Sequence, residues 1–113
     1  MPVNQWSESI LIAEMSEEPT FSEEMDSLQA RLEAANGYVP DVIVDLQNVG
    51  YVNSSNIAQL LRLRKTVVAG DSRMRICGVS NETWSVLMVT GLDKVFEFTD
   101  DVSTSLASLQ LGL

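Results

Sequence analysis

Histidine is absent from this 113-residue chain, and cysteine occurs once, at Cys77. Without an imidazole there is no Ser-His-Asp or Cys-His nucleophile arrangement and no histidine-based zinc site. A single thiol forms neither an internal disulfide nor a thiolate metal cluster, a usage that suits a reducing compartment. Its place in the apolar run Met74–Val79 marks Cys77 as a packed core thiol rather than a reactive one. Glycine is also sparse, and positions 37, 50, 70, 78, 91 and 112 form neither a dinucleotide fingerprint nor a phosphate-cradling loop with its lysine. Long apolar runs are missing too. The first, Ile10–Ala13, is far too short to span a bilayer and follows no basic segment, so neither membrane insertion nor a secretory leader is expected. Together these absences lead to the expectation of a cytoplasmic protein that is not an enzyme and carries no cofactor or metal.

Basic residues are few: seven against sixteen acids, for a net charge of −9. Their distribution is lopsided. Residues 1–45 hold ten of the acids against Arg31 alone, whereas residues 46–113 are balanced. Such a chain repels nucleic acid, and no nucleic-acid partner is expected. Arg62, Arg64, Lys65, Arg73 and Arg75 cluster in sequence. They read either as a solvated helix flank and strand edge or as a docking patch for an acidic partner. The paired acids Glu17–Glu18, Glu23–Glu24 and Asp100–Asp101 read as solvated charges near helix starts, where they suit the helix dipole.

What remains is an ordinary globular composition, 45% hydrophobic, in a chain the size of one domain. A strand is expected over Ser7–Glu14 around its apolar run. Phe21, Met25, Leu28 and Leu32 then recur at steps of four, three and four, predicting a helix near Ser22–Ala35 that stops at Gly37. Asp41–Leu46 is almost continuously apolar, the mark of a strand covered on both faces. The clearest helix runs from Asn53 to about Val68, with Ile57, Leu60, Leu61, Val67 and Val68 on one side. A strand over Arg73–Val79, a helix over Asn81–Val89, a strand over Val95–Phe98 and a helix over Asp101–Leu111 follow. Alternation at this spacing predicts one α/β domain over residues 1–113. Its sheet is mainly parallel, of about four to five strands, with four helices packed against it.

The most informative segment joins the second expected strand to the clearest helix. Tyr51, Asn53, Ser54, Ser55, Asn56 and Ile57 place a serine pair where the helix begins, among unpaired backbone N–H groups and the positive end of the helix dipole. A phosphate added there would find ready partners. The plainer reading is that Asn53 or Ser54 caps the helix.

In its joint order and spacing, the run from Asp41 through Ile57 resembles the STAS domains of bacterial anti-sigma factor antagonists. Their pattern is an apolar strand ending Asp-Leu, an apolar pair, Asp-Ser-Ser-Gly or Asp-Ser-Thr-Gly, and a helix. Leu60–Leu61, Gly70, Met74–Val79, Val89–Leu92, Val95–Phe98 and Ala107–Leu109 extend the likeness to nearly the whole chain. Two positions depart from it: Asn53 stands where the family has an acid, and Asn56 where it has glycine. Asn53 keeps the capping oxygen but brings no charge.

The resemblance implies a domain whose serine turn is read by an anti-sigma factor serine kinase. That kinase phosphorylates the first serine of the pair, here Ser54, and so weakens the association, while a phosphatase restores it. Tyr51, Asn53, Ser55, Asn56 and Ile57 would shape or flank the contact. The alternative is a non-phosphorylated adaptor, a STAS subunit of a larger signalling assembly or of a cytoplasmic transport ATPase complex. A small-molecule-binding domain is a third class, without a residue to lean on. Tyr51 and Trp84 are candidate aromatic anchors for a partner. For Trp84, its place beside Leu87 and Met88 favours the core.

Overall fold

The computed structural model describes residues 3–34 and 38–112. Gly37 and Ala35, the expected stop and last residue of the first helix, lie outside them. The strands are β1 (Val3–Ser7), β2 (Ile10–Glu14), β3 (Asp41–Asp45), β4 (Met74–Cys77) and β5 (Phe98–Thr99). The helices are α1 (Thr20–Glu33), α2 (Ser54–Ala69), α3 (Asn81–Thr90) and α4 (Val102–Leu111), with a 3-10 turn at Leu92–Lys94.

The sheet runs in the order β1-β2-β3-β4-β5 and is mixed. β2, β3, β4 and β5 are parallel, and β1 is antiparallel to β2. Because successive strands step across the sheet in one direction, right-handed crossovers carry α1 and α2 to the same face. There Leu11, Val42, Val44 and Ile76 meet Phe21, Met25, Leu28, Leu60, Leu63 and Val67 in the main core. The alternate residues Ile10, Ile12, Ile43 and Cys77 point the other way and are covered by Leu109, Val102 and Leu106 of α4. The period-2 split of three adjacent strands thus makes two cores from near-continuous apolar runs. Cys77 is fully buried, and burial, followed by the charge of Asp45, pushes its thiol up to about 11. It is a core thiol, as its setting in the sequence suggested.

Three details differ from the sequence reading. The strand expected over Ser7–Glu14 begins at Ile10. Residues before it form β1, which pairs Val3 with Ala13 and Gln5 with Leu11 before its register slips between Gln5 and Ser7. β1 is an edge strand whose middle residues are exposed, so it leaves no apolar alternation to read. The strand expected over Val95–Phe98 shrinks to Phe98–Thr99, because the Val95 N–H turns back to the Leu92 carbonyl at 3.0 Å. Phe96 is buried from a loop rather than from a strand. On α2 the buried stripe is Leu60, Leu63 and Val67, while Leu61 and Val68 face solvent at 37% and 49% exposure.

Candidate functional site

The β3–α2 loop leaves the sheet at the carboxyl end of its parallel strands and is held from three directions. From its own strand, the Asp45 carboxylate accepts the Gln47 N–H at 2.9 Å, and the Val49 N–H bonds back to the Leu46 carbonyl at 3.0 Å. From the β4–α3 side, the Ser80 hydroxyl donates to the Gly50 carbonyl at 2.7 Å, and the Thr83 hydroxyl accepts the Val52 N–H at 3.2 Å. From the β2–α1 loop, the Glu17 carboxylate accepts the Gly50 N–H. Gly78, at φ +71°, lets β4 exit against this loop, since a Cβ there would sit 2.8 Å from the Gln47 nitrogen. Val49 and Val52 are buried, which pins the loop between the clasps.

The helix then starts with a reciprocal cap. Asn53 is the N-cap residue: its side-chain oxygen accepts the Asn56 N–H at 2.9 Å, and Asn56 Oδ1 accepts the Asn53 N–H at 3.2 Å. This is the capping-box arrangement, with asparagine in both of the roles usually held by Ser/Thr and Glu/Gln. Asn56 is 1% exposed and passes the network inward. Its Nδ2 donates to Gln59 Oε1 at 3.3 Å, and Gln59 Nε2 donates to Asp26 Oδ1 at 3.3 Å. Ser22 of α1 completes the tie, donating through its N–H and its hydroxyl to Glu18 at 2.7 and 2.6 Å. Those bonds from Ser22 hold the exposed Glu18 carboxyl below the usual carboxylate range.

The candidate residues therefore divide. Ser54 and Ser55 are exposed on the first turn of α2, and among the described residues no hydrogen bond engages either hydroxyl or either backbone N–H. Asn53 is half-buried, and Asn56 lies inside the turn, where it shapes the backbone from beneath. Tyr51 is 51% exposed beside them, and Ile57 is partly buried against the main core. Trp84, expected to pack in the core, keeps 36% of its surface in solvent and stands edge-on to Phe98 with ring centroids 5.0 Å apart. The supporting residues Glu17, Glu18, Ser22, Gln59, Ser80 and Thr83 were not legible as a group, because they come from four separate segments. Only Ser80 carried a local signal, as a serine three residues before Thr83 at a helix start. Among the described residues no group of three His, Cys, Asp or Glu side chains is placed to hold a metal ion. Among them, too, no helix is long and apolar enough to cross a membrane.

This fold and this turn define a STAS-type domain, and the comparisons agree. The STAS domain family model matches residues 3–105, and the chain belongs to that family. No curated protein matches the chain by sequence. Among solved structures, an anti-sigma-factor antagonist (STAS) domain protein from Planctomyces limnophilus superposes with a TM-score of 0.80 at 21% identity, covering 96% of each chain. A putative anti-sigma factor antagonist from Thermotoga maritima gives 0.75 at 13% identity, covering 96% of this chain and 93% of that one. A variant of RsbS from Moorella thermoacetica with glutamate in place of a serine gives 0.78 at 12% identity, covering 97% and 96%. At these identities the likeness establishes the fold.

Proposed function

We propose that this chain is an anti-sigma factor antagonist that binds an anti-sigma factor serine kinase through the β3–α2 turn and is switched by phosphorylation of Ser54. The observation that carries this reading is the division of labour at the turn. Asn53 and Asn56 cap the helix between them, so the Ser54 hydroxyl is not consumed as a cap and stands exposed at the first helical position. A phosphate there would add about −1.5 to −2 charges and three acceptor oxygens at the contact surface. It would lie near the N–H groups of the first turn, which favour an anion, and bring fresh negative charge to a partner that had docked on a hydroxyl. Loss of about 3 kcal/mol of interface energy would weaken binding roughly a hundredfold. A phosphatase would return the chain to its binding form. The reading is of a binding module in the cytoplasm, one domain over residues 1–113.

The charge missing at Asn53 is partly replaced in space. Glu17 reaches the Gly50 N–H of the same loop, and Glu18 lies beside the Asn56 side chain. A kinase that recognises acid near its target serine would find it there, contributed by the β2–α1 loop rather than by the turn itself.

The test is mass spectrometry of the protein recovered from its host, reading phosphate at Ser54 together with co-purified proteins. Phosphate on Ser54 and an ATP-dependent anti-sigma kinase support the switch, and Ser54→Ala should abolish incorporation while leaving the melting temperature unchanged. A specific observation favours a second reading: the capping box satisfies the turn without any modification, as an adaptor surface would require. An unmodified Ser54, with a larger STAS-containing assembly or transport ATPase co-purifying and Ser54→Ala fully functional, would decide for that adaptor.

A further inference from the structure

The basic residues that cluster in the sequence are separated by the fold. Arg62 pairs with Glu33 of α1 at 3.4 Å, and Lys65 is exposed on α2. Arg64, Arg73 and Arg75 instead line one cleft of about 350 Å³, near the C-terminal end of α2 and the start of β4. That is the opposite end of α2 from Ser54. β3 covers the whole of β4 on one side, but on the other β5 pairs only with Ile76 and Cys77. Among the described residues the Met74–Arg75 half therefore has no strand on that side, and the cleft opens there. Val68 and Phe96 supply an apolar wall.

Two of the three guanidinium groups are fixed in place. Arg73 donates to Asp41 Oδ2 at 3.2 Å and to the Leu109 carbonyl at 2.7 Å. Arg75, 7% exposed, donates to Ser108 Oγ at 3.0 Å and to the Met74 carbonyl at 3.1 Å. Arg64 differs: among the described residues no hydrogen bond or ion pair engages its side chain. With Arg73 paired to Asp41 and Arg75 held against Ser108, the cleft's basic group open to a ligand is Arg64, which lines it together with Glu97.

We propose that this cleft is a binding site for a small organic anion, a carboxylate or phosphate monoester carrying a compact apolar body. Guanidinium groups match the planar, two-oxygen face of both head groups, and Arg64 has its fork unspent. The apolar body would lie on Val68 and the edge of Phe96. The volume is that of a small-molecule site, which runs from about 300 to 1,000 Å³, and is too little for a folded acidic partner. The site is independent of the Ser54 reading and stands or falls by itself.

The experiment follows backbone amide shifts of the ¹⁵N-labelled full chain during titration with phenyl phosphate, benzoate and inorganic phosphate. The expected result is a saturable response confined to the end of α2, Ser72–Ile76 and Phe96–Glu97. Phenyl phosphate or benzoate should bind roughly tenfold more tightly than inorganic phosphate, because only they reach the apolar wall. Whichever of the two binds more tightly names the head group. Arg64→Gln should weaken that binding by about tenfold, and Val68→Glu, which places a carboxylate at the cleft, should abolish it. Both positions lie on the outer side of α2, and unchanged melting temperatures would show that the variants fold. No saturable response, a response mapping to the Ser54 turn, or full affinity in Arg64→Gln would overturn the proposal. So would a response to a poly-glutamate peptide but to none of the small anions, which would make the cleft a contact for an acidic segment.

Discussion

Asn56 is where this chain's residues matter most individually, because it serves the helix and the site together. Its oxygen closes the cap on Asn53 and its amide reaches Gln59, which in turn holds Asp26 of α1. Asn56→Ala leaves the Asn53 N–H and Gln59 Oε1 without these partners in a mostly buried setting. Loss of such a cap costs about 1 kcal/mol, within a range of about 0.5–2. Asn53→Asp should have the opposite sign. It keeps the accepting oxygen and adds a charge at the positive end of the helix dipole, a gain of about 0.3–1 kcal/mol at low salt. Urea unfolding of the two variants checks both. Equal stability of Asn56→Ala and the parent would mean that the reciprocal cap is not formed in solution. The serine pair could be read from the sequence because strand, loop and helix start are contiguous. The cap's second half could not, since asparagine at the third helical position is an uncommon partner and its role depends on Gln59 one turn on.

At the scale of elements, α2 separates what periodicity reveals from what it does not. Its existence and length were legible, but the apolar positions Leu60, Leu61, Leu63, Val67 and Val68 are too many for one stripe, and the direction of the core decides among them. The structure buries Leu63 completely and leaves Leu61 at 37% exposure. Leu63→Ala should therefore cost about 2–5 kcal/mol through lost transfer energy and a cavity beneath α2. Leu61→Ala should fall within about 0.5 kcal/mol of the parent. Equal costs in denaturant unfolding would refute the assigned face. β3 and β4 were plain in the sequence because strands buried on both faces announce themselves. β1 and β5 were not, since edge strands are short, half-exposed and defined by their neighbour's backbone. The start of α4 was also legible, and it carries a pH dependence. Asp101 accepts the Thr104 N–H at 2.8 Å, which holds its carboxyl below the ordinary value of 3.8. A depressed folded value means that the unfolded chain takes up the proton first. The contribution of this cap is thus present above 3.8 and is lost as pH falls through the folded value. Asparagine at 101 accepts the same bond without titrating. The melting temperature of Asp101→Asn should thus decline less than the parent's on acidification through that window, and parallel curves would count against the cap.

For the molecule as a whole, charge sets the next expectation. The net charge is −9, and ten of the acids lie in the first 45 residues, which supply β1, β2, α1 and β3. Among the described residues the ion pairs are Arg62–Glu33 and Arg73–Asp41, and the first is exposed on both sides. Exposed pairs contribute about 0–1 kcal/mol, so salt has little attraction to weaken. Repulsion outweighs that attraction and acts over the whole body, which measures 35 × 29 × 24 Å. At about 10 mM salt the screening length is about 30 Å and most carboxylates feel one another; at about 0.1 M it is about 10 Å and only neighbours do. The melting temperature should therefore rise between these concentrations and then flatten. A fall would mean that the ion pairs outweigh the repulsion. Phosphorylation of Ser54 would add about −1.5 to −2 charges beside the loop that carries Glu17 and Glu18. If that modification occurs, the phosphorylated chain should show a steeper rise with salt than the unmodified chain over the same range. Superimposable curves would place the added charge clear of the acidic loop, and would return the weight of the switch to the partner's side of the contact.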